Sequence, residues 1–90
     1  MAYSIPYKLK LAIDAATYKR VGELFAFSIK HNMADYAFIE LAVATASIEI
    51  LMDLDEKLNS YHYNQAQDYI FTLATRHANE LISIKNGIFQ

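Results

Sequence analysis

ADYAFIELAVATASIEILMDLDEK, residues Ala34 to Lys57, is the stretch whose reading decides the fold. Set out at steps of about 100° around a helix, it is apolar on two nearly opposite sides. With Glu40 as the origin, Ala37, Leu41, Ile48 and Met52 fall at about 60° to 120°, and Ile39, Val43, Ala46, Ile50 and Leu54 at about 240° to 320°. Glu40 and Ser47 mark one polar strip between them; Thr45, Glu49, Asp53 and Glu56 mark the other. An ordinary surface helix carries one apolar stripe and one broad polar face. A two-sided helix is either clasped by its own neighbours or packs one side within the protomer and the other on a second chain. The second reading is preferred, with Ile39, Val43, Ala46, Ile50 and Leu54 as the expected oligomer interface, although periodicity alone does not choose between the sides.

The rest of the chain supports an all-α domain. Two glycines and one proline punctuate 90 residues, and no alternating strand pattern of useful length occurs. Pro6 suits the first turn of a helix, and Leu9, Ile13, Ala16, Val21, Leu24, Phe25 and Ile29 keep helical spacing up to Lys30. Asp14 or Thr17 could cap a second helix there, and the reading leans to a break near Asp14, with one long helix as the alternative. Lys30 and His31 favour a helix C-terminus, and Asn32 either turns left-handed or caps the next helix. The two-sided helix is expected to end near Leu58. Asn59 to Asn64 reads as a loop, with Asn64 and Gln67 at capping-box spacing. A last helix then buries Ala66, Ile70, Leu73, His77, Leu81 and Ile84, flanked by Ala74, Ala78 and Ile82, and stops at Asn86-Gly87. The expectation is one small helical bundle over residues 1–90, an N-terminal helical segment packed on a long helical hairpin.

Composition narrows the function. The apolar fraction is 54%, above the usual range, so an oligomer or a partner is expected to cover the excess. Cysteine is absent, which removes disulfides and thiolate zinc sites. The N-terminus has no apolar core of a signal peptide, and Leu41 to Ile48 is too short to span a bilayer, so a cytoplasmic protein without membrane contact is expected. Residues 1–31 carry five bases against two acids, whereas 32–60 carry six acids against Lys57. Such polarity can align subunits or attract a charged partner, and it can equally do no more than solvate exposed faces.

No catalytic constellation stands out. Gly22 and Gly87 are isolated, so no loop cradles a phosphate, and the serines sit in no nucleophile elbow. His77 interrupts an apolar stripe, with Glu80 one turn on; the spacing occurs once and runs opposite to the Glu-x-x-His of di-iron bundles. His77 is therefore read as a core or interface histidine, and neither metal nor cofactor is expected. Tyr3, Tyr7, Lys8, Lys10, Tyr18, Lys19 and Arg20 interleave rings with bases and are candidates for ligand or partner binding, as is the aromatic run Tyr61, His62 and Tyr63. An acidic chain without a basic stripe argues against duplex nucleic acid. The function expected is a non-enzymatic binding or regulatory module, of regulator or inhibitor type, that forms a homo-oligomer and recognises another protein. The alternative is a helical oligomer that binds a small anionic ligand such as a nucleotide between subunits.

Overall fold

A computed structural model describes residues 5–54 and 60–88. They form three helices: α1, Tyr7–Lys30; α2, Asp35–Leu54; and α3, Ser60–Ile88. Each packs on the other two, giving an all-α bundle of 45 × 23 × 18 Å. Short connections make α1 and α2 antiparallel, and α2 and α3 likewise, so α1 and α3 run in the same direction.

Helix α1 is continuous, which corrects the expected break near Asp14. Pro6 is the N-cap residue, with extended ψ of 137°, and its carbonyl accepts the Lys10 amide at 2.9 Å. The buried stripe Ile13, Thr17, Val21, Leu24 and Ser28 advances by four and three residues straight through the proposed cap. Thr17 is fully buried within that stripe, and the Asp14 carboxylate accepts a hydrogen bond from the Tyr69 hydroxyl of α3. Asp14 is thus engaged by α3, and Thr17 packs in the core with its hydroxyl unpaired among the described residues.

The turn into α2 follows from Asn32. Its φ is 53°, and the Asn32 and Met33 amides bond to the Ile29 and Ser28 carbonyls at 3.2 and 2.9 Å. This is a Schellman closure with asparagine in the left-handed position, the first of its two sequence options. Asp35, in the first turn of α2, accepts a hydrogen bond from Lys85 near the end of α3. That bond, more than any other influence, holds the Asp35 carboxyl below its usual range.

Helix α3 starts earlier and ends later than the sequence suggests. Tyr61, His62, Tyr63 and Asn64 lie in its first turns, so the expected loop is helical from Ser60 onward, with Asn59 outside the described residues, and Asn64 with Gln67 lies inside the helix. The reason is that Tyr63, Ala66 and Ile70 extend one apolar stripe, and Tyr63 packs on the core. Asn86 and Gly87 are helical too, and Gly87 has no positive φ. The buried row also walks around this 29-residue helix, from Ala66, Ile70 and Leu73 to Ala74, Ala78 and Ile82. Ile84, expected inside, is consequently exposed. Such drift is what an inclined helix crossing produces.

At the centre, Ala42 and Ala46 of α2 and Ala66, Ala74 and Ala78 of α3 are fully buried. These small residues let two backbones approach closely, while Phe38, Ile13, Ile70 and Val21 fill the space between the three helices. Among the described residues no helix is long and apolar enough to cross a membrane. The predicted continuation of α2 to Leu58 lies outside the described residues.

Candidate functional site: an apolar groove between α2 and α3

The two-sided pattern of α2 resolves into an inner and an outer face. Val43, Ala46, Ile50 and Leu54 are buried within the protomer, and Ile39 packs partly against the same core. The assignment of this side to a second chain is therefore corrected: four of its five residues have no appreciable surface to offer one. They fail as an interface because α1 and α3 together suffice to cover about half the circumference of α2. The opposite side faces outward. Leu41 is half-buried, while Ile48 is 60% and Met52 73% exposed.

Beside Ile48 the surface dips into a groove of about 470 Å³ between α2 and α3. Ile39, Val43, Ala44, Ser47 and Ile48 line one wall, with Glu40 at the rim; Gln67, Phe71 and Thr75 line the other. Thus Ile39 and Val43 of the predicted interface do reach this floor, whereas Ala46, Ile50 and Leu54 do not. Phe71, 58% exposed, was missed by sequence reasoning. Its signal was a large apolar ring off the buried stripe of α3, among Gln67, Asp68, Thr72 and Thr75. The Ser47 hydroxyl oxygen is shielded from solvent and has no hydrogen-bond partner among the described residues. The groove therefore offers apolar contact, the Glu40 carboxylate and the Gln67 amide, and no histidine, cysteine or lysine.

The N-terminal candidates do not converge. Arg20 reaches α2, where its Nε and Nη2 donate to the two Glu49 carboxylate oxygens at 2.8 and 3.1 Å. Lys10 turns the other way, 5.3 Å from the centre of the Tyr69 ring on α3. Tyr18 stands edge-on to His77 of α3 at 4.7 Å. Tyr7, Lys8 and Lys19 are exposed on α1, and Tyr3 lies outside the described residues. These groups cannot close together on one phosphate, because Lys10 and Arg20 are committed to opposite neighbours. At the end of the bundle where α1 and α3 begin, Tyr61 is exposed, His62 is half-buried with its ring 5.8 Å from that of Tyr61, and Tyr63 belongs to the core margin.

His77 is half-buried at the α1–α3 seam. Its Nδ1 lies 3.8 Å from Glu80, beyond hydrogen-bond reach, and has no other partner among the described residues. The Tyr18 ring packs against it at nearly a right angle. Burial drives the Tyr69 hydroxyl up to about 12, and its bond to Asp14 adds to the effect. No group of three or more histidines, cysteines or carboxylates able to hold a metal occurs among the described residues. In comparison with known proteins, no family model, curated protein or solved structure matches this chain.

Proposed function

We propose that this chain is a non-enzymatic binding and regulatory module that associates with itself and recognises another protein through the outer side of α2 and the adjoining groove. One observation carries the reading: Ile48 and Phe71, both exposed, line a groove that includes a single charged residue, and exposed Met52 lies one turn beyond Ile48 on α2. Depletion of charge around exposed large apolar side chains is the composition of an interface centre. The polar inventory supports binding over chemistry, since the lining holds no histidine, cysteine or lysine and the Ser47 hydroxyl is itself shielded from solvent. The anionic-ligand alternative draws no support from the dispersed bases of α1. A cytoplasmic location is part of the proposal and rests on composition.

Light scattering behind a sizing column tests the reading. A mass that is a multiple of the 10.3 kDa chain at micromolar concentration is expected. A single-chain mass throughout the range up to 100 μM, on the order of the weakest useful association, would contradict it.

A further inference from the structure

Beside its buried stripe, α1 carries a second apolar row that the protomer covers only in part. Leu11, Ala15, Tyr18, Gly22, Phe25 and Ile29 follow one another at alternating spacings of four and three residues, the interval of a helix-pairing seam. Only Phe25, which meets Phe38 at 5.4 Å, and Tyr18, against His77, contact other helices through their rings. Leu11 and Ile29 are about half exposed, and Ala15 is exposed.

Gly22 sits in the middle of this seam. It has no positive φ, and a Cβ added to it would meet nothing within 4 Å. Glycine is a poorer helix former than alanine, so neither backbone conformation nor packing inside the protomer accounts for it. Close approach of another backbone does account for it, and exposed Ala26 one turn later widens the same shallow strip.

Charge selects what approaches. Lys8, Lys19 and Lys30 recur every eleven residues along this side of α1, close to one line and about 16 Å apart. All three are exposed, and none joins an ion pair among the described residues. The α2/α3 groove has the complementary character. Glu40 stands at its Thr75 end; Asp68 is exposed beside Gln67 at the Ile48 end, about 12 Å along the helices. No lysine or arginine lines the groove, and α2 contains neither.

We propose that the outer face of α1 in one copy docks into the α2/α3 groove of the next, with Gly22 and Ala26 against the groove and the lysine row meeting Glu40 and Asp68. This rests on the self-association reading above and specifies its geometry. Groove-to-groove pairing would gather acids from both copies, and pairing of two α1 faces would oppose lysine rows in either direction; like charges so placed oppose association. No α1 residue lines the groove, so the two surfaces lie on opposite sides of the bundle. A contact between them is heterologous and propagates into a ring or a filament.

Two variants that spare the fold test this. Ile48→Glu blocks the groove and Gly22→Glu blocks the α1 face; both alter solvent-facing positions, and circular dichroism checks their helicity. Sedimentation of each alone should give the 10.3 kDa single chain, and an equimolar mixture should give a one-to-one pair of twice that mass. The pair forms because each variant retains the surface the other lacks. Lys19→Glu should weaken wild-type assembly about tenfold by loss of one charge pair, and Lys19→Arg should leave it intact. Assembly of Gly22→Glu like wild type, or a mixture that stays monomeric, overturns this geometry and leaves self-association standing. A monomeric wild type overturns both.

Discussion

The inner and outer sides of α2 are equally apolar in sequence, yet they do different work. Inside, Phe38, Ala42, Val43, Ala46, Ile50 and Leu54 are covered by α1 and α3. Outside, Ile48 and Met52 remain open to solvent with Phe71 of α3 beside them. The inner side sets small residues among its large ones: Ala42 and Ala46 are fully buried, as are Ala66, Ala74 and Ala78 of α3, and permit close helix contact, whereas the outer side beyond Ala37 carries only the large groups of Leu41, Ile48 and Met52. Apolarity reports that a face needs cover; the distribution of small residues reports which cover is near.

That contrast can be broken most sharply at Ile50. A carboxylate placed there has no partner in the core, and Ile50→Asp should unfold the protomer, with a loss of more than about 4 kcal/mol read from a thermal melt. A folded but dissociated Ile50→Asp would return this side of α2 to the interface. A smaller effect is expected at the α1–α3 seam. Tyr69→Phe removes the bond to Asp14 and should cost about 1 kcal/mol in denaturant unfolding.

The same residue predicts a pH dependence. Burial, followed by the Asp14 bond, raises the Tyr69 hydroxyl from 10.0 to about 12, so over that interval the unfolded chain loses a proton that the folded chain keeps. Stability should therefore decline as pH rises from 10 toward 12, and Tyr69→Phe should lack that component. The smallest effect concerns the outer seam of α1. Gly22→Ala should stabilise the dissociated protomer by about 0.5–1 kcal/mol through helix propensity, while loosening any assembly that needs close approach there. Destabilisation of the protomer would show that Gly22 serves the fold.

Much of the architecture was legible because it rests on local rules. Helical periodicity identified three long segments, and Asn32 between Lys30 and Asp35 marked a helix end where a left-handed residue now closes α1. The failures share a cause. Asp14, Thr17 and Asn64 each carry a terminal signal, but tertiary contact outweighs a cap of about 1 kcal/mol when the apolar stripe continues beyond it. The Asp14 carboxylate is engaged by Tyr69, 55 residues away, a pairing that no local pattern encodes. The groove was half legible. Ile48 and Met52 were visible as one side of a two-sided helix, but Phe71 gains meaning only once α2 and α3 are paired, and the N-terminal rings and bases separate because Arg20 and Lys10 have partners on different helices.

Sedimentation of Ile48→Asp beside wild type, with a thermal melt on the same samples, is the most direct test of the division of α2 into a folding side and an associating side. Wild type should sediment above single-chain mass, and Ile48→Asp should sediment as the 10.3 kDa chain with stability within about 0.5 kcal/mol of the dissociated wild type. An Ile48→Asp protein that assembles like wild type, or that unfolds, would contradict that division.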